Sequence, residues 1–193
     1  MVHSIVPLAV LEAVKNLDTP VEDGLTEFAE ELLVKRLGLS PTVAMQLAEY
    51  ELLVRRDARV EGAHVEALLR LVGRRPDADL VFADAGRRAA RRAVRRIFAP
   101  LRLFGHFAAR RAARAVLGAD LVRERHLPVA RVADPIAVNA TPDGAACGFY
   151  GAALAELLRL LVGYEGAMLH SACRTTGAAT CEWRAATPDP RHH

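Results

Sequence analysis

The sequence is poor in aromatic residues and in long apolar runs. Aromatic residues make up 5% of the 193 residues although apolar residues make up 52%, so we expect a core of Leu, Val and Ala, a mixture that favours helices. No apolar run approaches the roughly 20 residues needed to cross a bilayer, and the N-terminus lacks a basic leader followed by a long apolar stretch. We therefore expect a cytoplasmic protein with no transmembrane segment and no signal peptide.

Cysteine is also scarce, with three residues in the chain. Without an export signal these thiols are expected to stay reduced, which argues against a disulfide framework. All three lie in the last quarter of the sequence, and a histidine lies among them. Thiolates and imidazole are the donors of closed, tetrahedral zinc sites, so the set predicts a structural Zn²⁺ bound by Cys147, His170, Cys173 and Cys181. The alternative is three ordinary buried thiols and a surface histidine, because free cysteine packs as a small hydrophobe.

The spacing of these residues carries a further expectation. The stretch from Cys173 to Cys181 reads as two short strands around a turn at Gly177, which would bring the two sulfurs together. His170 and Cys173 are three residues apart, so a regular strand would direct them to opposite faces. A shared site therefore requires a bulge or bend between them.

Acidic residues are absent from Ala85 through Ala119, where ten arginines fall. The rest of the chain holds the other 16 of the 26 basic residues and all 23 acidic ones, so its net charge is negative. Six of the ten arginines occur as pairs four residues apart, which on a helix form one broad basic face: Arg87, Arg88, Arg91, Arg92, Arg95 and Arg96. A solvated helix face is the ordinary interpretation, but this density favours an anionic contact. An acidic protein partner, an anionic lipid surface or carboxylates on a ligand would fit, whereas no motif that reads nucleic acid is present.

Helical periodicity fills the first part of the chain. Apolar spacing predicts helices over about 8–17, 21–37, 41–56 and 61–72, then the arginine helix and another over about 101–117. We expect the last of these to direct Phe104, Phe107 and Val116 toward the core.

Features of β structure follow Asp120. The Val- and Ile-rich stretch from Leu127 to Ala140 predicts strands, interrupted by prolines. A turn over 141–144, a helix over 148–162 and a closing hairpin of 167–172 with 180–185 complete the chain. The predicted class is α+β: a helical N-terminal half, then a small antiparallel sheet with a C-terminal helix and a zinc-pinned hairpin.

The C-terminal half also carries a motif. Cys147-Gly-Phe-Tyr-Gly151 leads an apolar helix, and His170-x-x-Cys173, Gly177 and Cys181-x-Trp183 follow. This pattern resembles the 4-vinyl-reductase domain, a small-molecule-binding α+β fold shared with the transport-particle (TRAPP) subunits and, more distantly, with haem nitric-oxide-binding domains. In aromatic-sensing regulators that carry the domain, the cysteines bind a structural zinc. The resemblance implies that role for Cys147, Cys173 and Cys181, while His170 stands where the family often has glutamate.

The resemblance covers roughly residues 76–186. Its first part, Pro76 to Ala119, is similar to the bacteriochlorophyll-biosynthesis branch, once called the 4-vinyl reductase and discussed as a pigment carrier. The implied organisation is a helical region over 1–75 that dimerises or packs on the core, a ligand-binding domain over 76–186, and a disordered tail over 187–193 whose terminal histidines are either native or added. In a homodimer, the acidic residues of the N-terminal half would meet the basic face of a second copy: Glu22, Asp23, Glu27, Glu30 and Glu31.

The implied function is that of a bacterial binding protein, a carrier or receptor for a hydrophobic small molecule such as an aromatic compound or a tetrapyrrole. Its pocket would be walled by aromatic residues and a histidine: Phe104, His106, Phe107, Phe149, Tyr150 and Trp183. For each aromatic residue, plain core packing is the alternative. Catalysis is not favoured, because we find no nucleotide loop and no nucleophile–base pair, and a closed zinc site activates no water. The alternative function is a non-catalytic interaction or scaffold subunit acting through the arginine face.

Overall fold

Helices dominate the first part of the chain and a small antiparallel sheet closes it, in a computed structural model that describes residues 1–18 and 41–186. The class is α+β, as predicted. The predicted helix over 21–37, the acidic residues within it and the tail over 187–193 lie outside the described residues.

The N-terminal region packs onto the rest of the domain through one central helix. Its elements are β1 (Val2–His3), α1 (Ile5–Asp18), α2 (Pro41–Arg55), β2 (Arg59–Val60) and α3 (Gly62–Gly73). β1 pairs antiparallel with β2. α1 is apolar on nearly every side, with eight of its 14 residues buried, so it requires neighbours all around it. Its side chains belong to the same buried cluster as those of the C-terminal half.

The arginine helix is the longest described element. α4 (Ala78–Arg95) buries Ala85, Gly86, Ala89, Ala90 and Ala93 on one side, as the predicted split between basic and apolar faces requires. Its small residues allow close helix packing, since a Cβ on Gly86 would overlap the carbonyl oxygen of Phe149.

The predicted helix over 101–117 is instead three short pieces: α5 (Ala99–Arg102), α6 (Gly105–Ala112) and a π-helical turn (Ala113–Leu117). Val116 is buried as expected, but the expectation for Phe104 and Phe107 is wrong, because their side chains are 65% and 57% exposed. Gly105 is the physical reason. It lets α6 approach the carbonyl of Leu161 so closely that a Cβ would overlap it, and this contact turns the alanines of α6 inward.

The remaining elements form a four-stranded antiparallel sheet with one long helix. They are β3 (Asp120–Glu124), β4 (Leu127–Val132), α7 (Ile136–Ala140), α8 (Cys147–Val162), β5 (Met168–Ala172) and β6 (Cys181–Ala185), and the strand order is β3-β4-β6-β5. The strand predicted through Ala140 is wrong beyond Val132. Pro135 begins a single helical turn there, and the backbone N–H and hydroxyl of Thr141 close it on the carbonyl of Ala137.

Within the described residues, no helix combines the length and apolar character that crossing a bilayer requires.

Candidate metal centre

The four predicted ligands come from four separate points of the C-terminal fold. Cys147 is the first residue of α8, His170 lies within β5, Cys173 follows β5 directly, and Cys181 is the first residue of β6. Their donor atoms all lie within 4.8 Å of one another. The fold therefore brings the predicted set together at one end of the sheet, close enough to bind a metal ion.

The distance between two of the sulfurs matches a tetrahedral metal site. The Sγ atoms of Cys173 and Cys181 are 3.8 Å apart. Metal–sulfur bonds of about 2.3 Å in a tetrahedron place two sulfurs about 3.8 Å apart, whereas a disulfide would require about 2.05 Å. All three cysteines are free thiols. The geometry therefore suits shared coordination better than cross-linking.

A bulge in β5 allows His170 and Cys173 to face the same site. His170 pairs with Trp183 and Ala172 pairs with Glu182, so the register shifts between them and Ser171 is an extra residue. A bulge re-aims side chains in this way. The bend predicted from the odd spacing is confirmed.

The loop from Cys173 to Cys181 holds its sulfurs with local hydrogen bonds. It is not the simple two-stranded turn that the sequence predicted, because a 3₁₀ turn (Arg174–Thr176) follows Cys173 and Gly177 ends that turn at a φ of 92°. The backbone N–H of Arg174 donates to the Sγ of Cys181 at 3.3 Å. The hydroxyl of Thr175 shares a 3.0 Å hydrogen bond with the Sγ of Cys173. Such contacts orient thiolate ligands and stabilise their charge. Hydrogen bonds within the loop therefore help to orient the sulfurs of Cys173 and Cys181.

The thiols differ in electrostatic environment. Burial, reinforced by the neighbouring sulfurs, raises the pKa of the Cys147 thiol, and burial also raises the pKa of Cys181. Burial acts in the same direction on Cys173, but its hydrogen bonds with Thr175 outweigh this and lower its pKa. Partial burial lowers the pKa of His170, which favours the neutral imidazole that binds metals. Burial thus disfavours the thiolate form of Cys147 and Cys181, and a bound cation would favour it.

A stacked aromatic group supports the exposed histidine. The ring of His170 lies parallel to Trp183, with centroids 4.7 Å apart, and Trp183 stacks in turn with Tyr150 at 5.3 Å. Trp183 is 1% exposed, so a side chain packed in the core supports the plane of the imidazole. The sequence analysis missed this role, although the hairpin register that pairs the two residues would have indicated it. Thr175 was missed as well, and its only signal is a place inside the loop between two cysteines.

The six residues proposed as pocket walls do not come together. Phe149, Tyr150 and Trp183 are buried near the metal centre, while Phe104, His106 and Phe107 are exposed around α6. Trp183 and His170 instead line one end of an open cleft of about 290 Å³. Small residues of α8 line its length: Gly148, Gly151, Ala152 and Ala155.

Four of the six arginines of the predicted basic face form ion pairs with carboxylates of this chain. Arg88 binds Asp84 at 2.7 Å, Arg91 binds Glu156 at 2.7 Å, Arg92 binds Glu12, and Arg96 binds Asp57 at 2.7 Å. Among the described residues, the side chains of Arg87 and Arg95 form no ion pair or hydrogen bond. Arg91 and Arg92 therefore join α4 to α8 and α1, whereas the pair of Arg88 with Asp84 lies within α4.

Comparisons with family models, with curated proteins and with solved structures found no match for this chain. The resemblance to the 4-vinyl-reductase domain thus rests on the motif residues alone, and what it implies stays a prediction. The metal-binding geometry does not depend on that resemblance.

Proposed function

We propose that this chain is a zinc-stabilised carrier or receptor for a small hydrophobic molecule, of the 4-vinyl-reductase domain type. The observation that supports the proposal most is the convergence of Cys147, His170, Cys173 and Cys181, whose donor atoms lie within 4.8 Å of one another. That cluster lies beside a cleft lined by Trp183.

Zinc is the metal that suits this donor set. Three thiolates and one imidazole are soft or borderline donors, and together they are a common structural zinc combination. Magnesium and calcium select oxygen donors. With four protein donors, no position is left open for a reactive water, so the proposed zinc is structural.

The proposed role of the metal is to hold the start of α8 against the end of the sheet. The loop from Cys173 to Cys181 and the bulged strand β5 carry most of their residues half-exposed or exposed, and they bury little apolar surface of their own. A metal ion would connect them to Cys147, which is 2% exposed at the start of a core helix. The wall of the cleft would then depend on the metal.

The cleft favours a flat ligand of modest size. Its volume of about 290 Å³ lies at the lower end of the range of about 300–1,000 Å³ for small-molecule sites. A tetrapyrrole would be only partly covered, so we favour an aromatic compound with one or two rings. Ala152 and Ala155 also line an adjoining cleft of about 140 Å³, together with Arg87, Arg159, Glu156 and Glu165. Arg159 is bound to Glu156, so a carboxylate on the ligand would meet the guanidinium of Arg87.

Native mass spectrometry and metal analysis of the full chain test the zinc. We expect one zinc per chain in the wild type and none retained in Cys173→Ser, because one of three thiolates is lost. Thr180→Ser is the matched control in the same loop, since its side chain forms no hydrogen bond among the described residues, and it should keep its metal. Unchanged zinc in Cys173→Ser, or a wild type without metal, would contradict the proposal.

Fluorescence titration with anilinonaphthalene sulfonate, an aromatic anion, tests the cleft. Ala155→Phe fills the groove without touching the metal ligands and should abolish binding of the probe while zinc is retained. Ala63→Leu, at an exposed position on α3, is the control and should bind as the wild type does. Equal binding by Ala155→Phe would remove the cleft as the ligand site and would leave the zinc site unaffected.

A further inference from the structure

Large apolar side chains that take no part in the metal centre are exposed at one region of the surface. Phe98, Leu103, Phe104 and Phe107 are 71%, 86%, 65% and 57% exposed, and all four lie within ten residues. We call these four residues the apolar tip. Scattered exposed apolar residues are normal, but a concentrated group marks a site of contact with a protein or a membrane.

The fold holds the apolar tip in this exposed position. The carbonyl of Phe98 accepts from the N–H of Leu101 and that of Phe104 accepts from the N–H of Ala108, both at 2.9 Å. Because α6 packs closely at Gly105, its alanines face inward. Phe107 therefore points away from the core. The exposure follows from ordered helical turns and not from a loose segment.

The charged residues that neighbour the apolar tip in sequence are all arginines or histidine. No acidic residue occurs in the sequence from Ala85 through Ala119. Arg110 and Arg111 follow Phe107 by three and four residues, so they share its face of α6. Arg110 reaches Asp120 only at 3.6 Å, with both side chains more than half exposed. Arg111 and Arg114 are exposed and form no ion pair within the described part of the chain.

This differs from the arginines of α4, most of which bind carboxylates inside the fold. Arg111 and Arg114, which we call the arginine rim, have no such partner among the described residues. Exposed phenylalanine and leucine beside unpaired arginine is the chemistry of a bilayer surface, where apolar side chains enter the boundary between headgroups and acyl chains and guanidiniums bind lipid phosphates.

We infer that the apolar tip and its arginine rim form a site that docks the protein on an anionic lipid bilayer. Each apolar side chain is more than half exposed, which suits a fluid surface that deforms around it. A folded protein partner would need a matching set of pockets with acidic rims. The inference is independent of the proposed zinc and cleft, because none of its residues contributes to either.

Flotation of the full chain with lipid vesicles tests this docking. We expect the protein to float with vesicles that contain phosphatidylglycerol, to stay behind with pure phosphatidylcholine, and to be released by added salt because exposed charges are screened. Phe98→Ser/Phe104→Ser/Phe107→Ser should lose flotation. Leu71→Ser/Leu80→Ser is the matched control, since these leucines are 63% and 62% exposed elsewhere, and it should float as the wild type does.

A second variant tests the arginine rim. Arg111→Gln/Arg114→Gln should weaken partitioning onto phosphatidylglycerol vesicles by roughly 30-fold, as expected for two surface cations near anionic lipid. Far-ultraviolet circular dichroism and thermal unfolding check that each variant is folded.

Three results would overturn the inference. The wild type could fail to bind phosphatidylglycerol vesicles, or the triple serine variant could float as well as the wild type. Alternatively, the wild type could sediment as a dimer and not float, while the triple serine variant sediments as a monomer. The apolar tip would then be a surface for self-association.

Discussion

Two regions of this molecule are stabilised by different means. The helices α1, α4 and α8 bury an almost wholly apolar, close-packed interface in which glycine and alanine let backbones approach. The end of the sheet, with β5 and the loop from Cys173 to Cys181, buries few apolar side chains and instead gathers donor atoms for a metal. The helical region is therefore held by its own packing and internal ion pairs, whereas we expect the end of the sheet to depend on a bound metal ion.

Removing the metal should separate the two regions most clearly. We expect chelation, or Cys181→Ser, to destabilise the hairpin by about 3–5 kcal/mol. The reason is that the free energy of metal binding contributes to the free energy of folding. The amides of β5 and of the loop should then lose protection from hydrogen exchange, while those of α1 and α4 keep theirs.

Ser171→Ala is the control, since it alters the same strand without removing a ligand. Loss of protection throughout the chain after chelation would show one cooperative unit and contradict the comparison. Unchanged protection of the hairpin would show that the metal does not stabilise it.

Substitution at the contact of α4 with α8 should weaken the helical region instead. In Gly86→Ala, the new Cβ would overlap the carbonyl oxygen of Phe149 and stand 2.9 Å from the Cβ of Ala152. The two helices would have to move apart, at a cost of about 3 kcal/mol. Urea unfolding of the metal-free proteins measures this directly.

Gly148→Ala is a matched control on the other helix. A Cβ at Gly148 meets nothing within 4 Å, so the substitution should be neutral or should stabilise α8 by up to about 0.5 kcal/mol, because Gly148 lies in the first turn of the helix. Equal destabilisation by both substitutions would mean that close packing at Gly86 is not what holds α4 to α8.

The two regions also differ in how far their sequence predicts them. The cluster of three cysteines and His170 could be predicted because cysteine is rare in this chain, and the odd spacing of His170 and Cys173 required the observed bulge. The outward position of Phe104 and Phe107 could not be predicted from the sequence, because it depends on the contact of Gly105 with Leu161. Periodicity identifies the faces of a helix but not which distant backbone will cover one of them.

The arginine helix shows the same limit. Its basic face was predicted from the spacing of its residues, but the partners of Arg91 and Arg92 are Glu156 and Glu12, which lie 65 and 80 residues away in sequence. Like charges along a helix suggest an external anion until the tertiary structure shows which carboxylates pack beside them.

Acid should weaken the ion pair between Glu156 of α8 and Arg91 of α4. We expect this effect on stability to be smaller than those of metal removal and of Gly86→Ala. This carboxylate is 6% exposed and binds Arg159 at 2.8 Å and Arg91 at 2.7 Å. The hydrogen bond from Arg159, and then that from Arg91, lower its pKa to about 2 against the opposing effect of burial. Because the folded pKa lies below the ordinary value of 4.5, the contribution to stability is complete above pH 4.5 and is lost as the pH falls toward about 2.

We expect Glu156→Gln to cost about 1–2 kcal/mol near neutral pH, after allowance for the solvent that screens two half-exposed arginines. The difference from the wild type should shrink below about pH 4.5 as the native carboxylate takes up its proton. Both proteins are unfolded with urea in the metal-free state, because protonation of thiolates would otherwise release zinc in the same range. Glu66→Gln removes a more exposed pair with Arg70 within α3 and should cost about 0.3–0.5 kcal/mol. A Glu156→Gln deficit that persists unchanged in acid would show that the side chain acts through packing and not through its charge.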